Sequence, residues 1–234
     1  MNQSNETFNI KAIRVLPHLI GMHLDYSLGE EAPLFSPSGG TGGICGVGYN
    51  SWKRRKALGM PYFRVGAGTP YKRWVNMMER CYRDEKSAYD DCTVCPKWHD
   101  YQEFAAWFAA QPYAGAKDAE LDKDILDPLN KMYSPEFCSV VPKVINQVFR
   151  DTRSRRGALP IGVSAASGGN GVVSVLSMFG KRVELGTFRD ITEAFKTYQA
   201  AHRKYCNELV DLYESQVDVR VIERLRTYSR HIRD

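Results

Sequence analysis

Glu120-Leu121-Asp122-Lys123-Asp124-Ile125, a polar loop, and then Phe137-Cys138-Ser139-Val140-Val141-Pro142 is the stretch on which the fold turns. Leu121–Ile125 and Phe137–Val141 are short runs with loop residues between them, which is the pattern of two paired strands. Pro142 then suits the first turn of a helix, where a missing N–H does no harm. The reading is a hairpin followed by a helix.

On the N-terminal side, Thr69 and Pro70 supply a cap and a first residue for a helix carrying Trp74, Met77, Met78 and Cys81 on one stripe. Asp91–Trp98 reads as a short strand-like link. A helix over Tyr101–Ala110 follows and buries Phe104, Trp107 and Phe108. Residues 1–66 read as irregular, with a Gly-rich loop at Ser36–Gly43 and a short strand and turn at Cys45–Asn50. No Gly-Lys-Ser/Thr follows the glycines, so they do not form a phosphate loop of that kind.

On the C-terminal side, residues 151–158 form a basic linker. Three strands are expected at Ile161–Ala165, Gly171–Met178 and Arg182–Thr187, with Gly-containing turns. Asp190 caps a long helix with Ile191, Ala194, Phe195 and Tyr198 on one face. The tail from Asp218 is basic and helical. The class is therefore α+β, in four segments. These are an irregular N-terminal region (1–66), a central helical and hairpin–helix domain (67–150), the linker (151–158), and a three-stranded antiparallel sheet packed on a helix (159–234).

The 234 residues are 43% hydrophobic and 25% charged, as in globular proteins, with six cysteines and a formal charge of +5. No leader pattern and no run of eighteen apolar residues appears, so a soluble protein of a cell's cytoplasm, with reduced thiols, is the expectation. The positive charge is clustered: Lys53-Arg54-Arg55-Lys56 in the first third, and Arg150, Arg153, Arg155 and Arg156 at the linker. Such runs are either solvated faces or phosphate contacts.

Five motifs occur in order: Tyr71-x-x-Trp74-x-x-Met77-x-x-Arg80-Cys81-Tyr82, Val94-Cys95-x-x-Trp98, Phe104-x-x-Trp107, Leu121-Asp122-Lys123-Asp124 and Tyr133-Ser134-Pro135-x-x-Cys138. Over residues 45–150 the chain resembles the HNH-type homing endonucleases of phages. The resemblance implies a hairpin and helix that hold one divalent metal, magnesium or manganese, against a scissile phosphate. Asp122 and Asn146 would be its ligands. Lys123 stands where better-known members carry the histidine general base, and Phe137 where they carry asparagine. A lysine is a poor base unless desolvated. Asp124 would be a weak alternative, and His99 could reach in from another segment. The other reading is that Asp122 and Asp124 only cap and solubilise a DNA-docking hairpin.

Cys92-x-x-Cys95, with Cys81 and Cys138, raises the alternative of a structural zinc, although a strong zinc signal has two such pairs.

Gly162-Val163-Ser164, Gly180–Phe188, Glu193-Ala194 and Tyr198-x-x-Ala201 resemble the ethylene-response-factor-type DNA-binding domain over residues 159–206. The resemblance implies a sheet lying in the major groove of double-stranded DNA, with the helix behind it. By alternation Ser174, Leu176, Val183 and Leu185 would face the helix. Ser164, Val175, Ser177, Arg182 and Glu184 would face DNA, with Lys181 beside them and Arg150–Arg156 on phosphates. The function expected is that of a phage-type DNA-binding protein with metal-dependent endonuclease activity, homing or nicking. The alternatives are a nuclease-derived DNA-binding protein or regulator without catalysis, and a phage protein that binds a host protein through the old DNA surface.

Overall fold

The loop between the two strands of the hairpin is drawn back into the body of the protein rather than left as a free tip. In the computed structural model, which describes residues 43–66, 70–83, 91–150 and 157–234, β1 (Thr93–Val94) pairs in parallel with β3 (Met132–Tyr133) inside that loop. The hairpin itself is β2 (Ala119–Asp122) against β4 (Ser139–Pro142), in antiparallel register from Ala119↔Pro142 to Asp122↔Ser139. The first strand stops at Asp122, not at Ile125. The Asp122 carboxylate accepts from the backbone N–H of Asp124 at 2.8 Å and of Ile125 at 2.7 Å, and this turn takes the chain out of the ladder. The second begins at Ser139 rather than Phe137, because Cys138 N–H closes a turn onto Ser134 O at 2.9 Å. Helix α4 (Lys143–Phe149) follows directly from Pro142.

Before the hairpin come α1 (Trp52–Ala57), α2 (Tyr71–Tyr82), a 3-10 turn at Pro96–His99 and α3 (Tyr101–Ala109). The link at Asp91–Trp98 is thus extended only over Thr93–Val94. The Lys53–Lys56 run lies in α1, so the end of the segment expected to be irregular contains a helix. It is tied to α3. Arg55 pairs with Glu103, Gln102 bonds Asn50 and Phe63, and the buried Asp100 carboxylate accepts from Ser51 while capping α3 at Gln102 N–H.

The α2 stripe forms the predicted core. Trp74, Met77 and Met78 are buried against Trp98, Tyr101, Phe104 and Phe108, with Cys81 and Trp107 only partly covered. Trp74 donates from Nε1 to Trp98 O at 2.7 Å. Gly48 approaches so closely that a Cβ there would lie 2.9 Å from the Trp74 ring. Trp74→Ala should therefore lower unfolding free energy by about 3–5 kcal/mol, read as a lower urea midpoint with unchanged slope. A change below 1 kcal/mol would mean the site collapses without a cavity.

After Gly157 the chain forms β5 (Val163–Ala165), β6 (Val172–Met178) and β7 (Lys181–Phe188), an antiparallel sheet in the order β5-β6-β7. Helices α5 (Ile191–Tyr213) and α6 (Val219–Thr227) follow, capped by Asp190, which accepts from Glu193 N–H, and by Asp218, which accepts from Arg220 N–H. Ser174 and Leu176 are buried toward α5, as alternation predicts. Val183 shares a face with Leu176 but is 37% exposed. The register skips between Ser174↔Gly186 and Val175↔Glu184, so Leu185 is the extra residue of a bulge and packs on the core edge. Ile191, expected on the buried face of α5, is exposed in its first turn.

Two apolar clusters result. One is centred on α2 and α3; the other contains α5, α6, the sheet, and Val141, Ile145 and Val148 of the hairpin–helix. Strand β4 is buried on both faces, with Val140 in the first cluster and Val141 in the second. No helix of the described residues is long and apolar enough to cross a membrane. The Gly-rich loop at 36–42, the cap at Thr69, and Arg153, Arg155 and Arg156 lie outside the described residues.

Candidate functional site

Alternation along β2 sends Ala119 and Leu121 into the first core and leaves Glu120 and Asp122 on the opposite face, toward α4. That face forms one wall of a cleft of about 730 Å³. Asn146, on α4, donates through Nδ2 to Glu120 Oε2 at 2.7 Å and lines the same cleft. Asp122 and Asn146 therefore line the same cleft, and Asn146 is bonded there to Glu120, which motif reading did not single out. Its position two residues before Asp122 on a strand was the available signal.

The rim is cationic. Arg73 reaches from α2 and donates twice to Ala119 O, at 2.9 and 2.6 Å, with its guanidinium 5.4 Å from the centre of the Phe108 ring. Arg224 comes from α6 and donates to Ile125 O at 3.0 Å. Arg80 and Arg150, both exposed, complete the rim. Arg73 and Arg224 carry no local motif and come from opposite ends of the described chain, so only the tertiary fold brings them to the hairpin.

Burial raises the Asp122 carboxyl above its ordinary range, although the N–H groups of Ile125 and Asp124 pull the other way. Lys123 is only 5% exposed. Its Nζ donates to Asp124 Oδ1 at 2.5 Å and to Asn130 O at 3.2 Å, and lies 5.8 Å from the centre of the Tyr133 ring. These contacts make Lys123 a tie across the hairpin loop, its Nζ engaged by a carboxylate and a carbonyl of the same loop. Asn130 closes that tie by bonding Lys123 O and Met132 O. His99 does not line the cleft. Its Nε2 lies 3.1 Å from Val94 O and 3.3 Å from Tyr82 Oη, and burial lowers its pKa. Phe137 is half-buried and also absent from the lining.

The donor set suits a hard divalent cation, which takes one or two carboxylates and keeps several waters. Glu120 and Asp122 offer carboxylate oxygens, and Asn146, bonded through its nitrogen, keeps its carbonyl oxygen for a cation. Among the described residues no three histidine, cysteine or acidic side chains group as a metal cluster. Burial pushes the Cys81 thiol up to about 12 and raises those of Cys92, Cys95 and Cys138.

Of the expected sheet residues, Ser164, Val175, Ser177 and Arg182 line a second cavity at the sheet edge, whereas Lys181 and Glu184 are exposed and do not line it. Arg150 borders both cavities. Comparison with protein-family models, curated proteins and solved structures finds no match for this chain.

Proposed function

We propose that this chain binds DNA and hydrolyses its backbone at the cleft between β2 and α4, using a divalent metal. The observation that carries the reading is that Glu120, Asp122 and Asn146 line the same cleft as Arg73, Arg80, Arg150 and Arg224, with Asn146 bonded to Glu120. The guanidinium groups would neutralise flanking phosphates, and they fix a backbone without reading sequence. The oxygen donors would hold the cation, which supplies an activated water and stabilises charge on the phosphoryl oxygens. Asp122 has a second task in this scheme, since its turn ends β2.

A specific observation favours a second reading, a DNA-binding protein without catalysis. The position expected to provide the general base is Lys123, whose Nζ is occupied by Asp124 and Asn130, and no histidine lines the cleft.

Supercoiled plasmid incubated with magnesium or manganese, with chelator as control, separates the two. Asp122→Asn keeps an oxygen acceptor for the turn and removes the charge. It should lower nicking about 100-fold or more while leaving gel-shift affinity unchanged. Asn146→Ala should do the same. Binding without nicking by the wild-type protein, under every divalent metal tried, leaves the second reading standing. Absence of any salt-dependent DNA binding ends both.

A further inference from the structure

The second cavity, of about 510 Å³, lies where the C-terminal sheet runs out of strand. Strand β5 ends its pairing at Val163↔Ser174, and the last bond across that edge is Val175 N–H to Gly162 O at 2.7 Å. Strand β6 continues to Met178, so Leu176 and Ser177 border open space there instead of a neighbouring strand. Helix α5 walls the far side with Tyr198 and Tyr205.

The charge in this cavity is one-sided. Arg150, Arg182 and Arg230 line it, and no aspartate or glutamate does. Arg230 is the unusual member, because it is 6% exposed and has no carboxylate partner among the described residues. Its Nη2 donates to Val148 O at 2.6 Å and to Arg150 O at 2.9 Å, while its Nε is buried without any hydrogen-bond partner. Buried donors are normally satisfied, and a buried cation is normally paired. The volume is in the range of small-molecule sites, and the walls combine aromatic and aliphatic surface with a few polar groups at the mouth.

We propose that this cavity is a binding site for a phosphate-bearing ligand. Its phosphate is held by Arg182 and Arg150 at the mouth with Arg230 behind. Guanidinium groups match phosphate through paired N–H donors, and exposed Ser177 adds a hydroxyl beside Arg182. The site shares Arg150 with the β2–α4 cleft, but the proposal does not depend on nuclease activity.

The test is calorimetric titration of the full chain, without divalent metal, with thymidine monophosphate, inorganic phosphate and uncharged thymidine. Thymidine monophosphate should bind, and thymidine should bind at least about tenfold more weakly, as expected from losing charged hydrogen bonds. Arg182→Gln should weaken the monophosphate by about the same factor. Ser177→Phe, at an exposed position that leaves the core alone, should block it by filling the mouth. Competition by a short DNA duplex would make the DNA backbone the source of the phosphate, and lack of competition would make it a free phosphate-bearing molecule; the site stands in both cases. No binding of monophosphate or phosphate at millimolar concentration overturns the proposal. So does binding that neither substitution changes.

Discussion

Gly162→Ala should destabilise the protein by about 2–5 kcal/mol, because overpacking and a left-handed backbone act at the same residue. Gly162 has φ +75°, and a Cβ placed on it would lie 2.0 Å from the Tyr198 ring. Tyr198 cannot simply swing away, since it is 4% exposed and packed between Phe195 and His202. The Gly162 carbonyl also accepts the last bond at the edge of β6, so a backbone shift there would loosen the sheet. Gly169→Ala is the matched control. Gly169 has φ +82° but no atom within 4 Å of its would-be Cβ, so only the conformational part, about 1–2 kcal/mol, applies. Urea unfolding of both variants decides the point. Equal losses would show that the contact with Tyr198 relaxes freely.

Acid should weaken the fold well before the carboxylates are exhausted, through His202. Its ring is 3% exposed, with Nδ1 3.6 Å from Cys206 Sγ. Burial first, then the Arg230 charge, lowers its pKa to about 4 from the ordinary 6.5. The sign follows from linkage. Between those values the unfolded chain takes up a proton that the folded chain refuses. Stability is therefore complete above about 6.5, falls as pH drops toward about 4, and is lost by on the order of 3 kcal/mol in all. His99, also lowered by burial, adds in the same sense, while the raised Asp122 carboxyl acts in the opposite sense at the acid end. The difference between wild type and His202→Gln isolates the term. Parallel stability curves for the two proteins between pH 6.5 and 4 would remove His202 from the balance.

Local patterns in the chain carried much of this fold. The Trp74–Met78 stripe, the Asp190 cap and the inward Ser174 and Leu176 are effects of neighbours within a few residues, and they read directly from spacing. The ends of β2 did not, because Asp122 looks like any polar strand residue until its carboxylate is seen to catch two backbone N–H groups. The bulge at Leu185 escaped for a related reason: a two-residue alternation fits either register until the partner strand is known. For the candidate site, motif order proposed Asp122 and Asn146, and both line one cleft. Glu120, bonded to Asn146, was not proposed, and the guanidinium groups of Arg73, Arg80 and Arg224 come from α2 and α6, which no local window spans. Lys123 is the instructive case. Its place in the motif suggested a base, whereas its surroundings make it a loop tie.

The strand whose two faces are both covered has a further meaning for how the molecule is put together. Val140 and Val141 stand back to back on β4, each in a different apolar cluster. The two clusters thus share a wall one residue thick. A chain cut near residue 150 would leave Val141, Ile145 and Val148 bare to water, while the C-terminal piece would lose part of its own floor. The halves that look separable by motif therefore share one apolar wall, and neither half would keep its full core without the other.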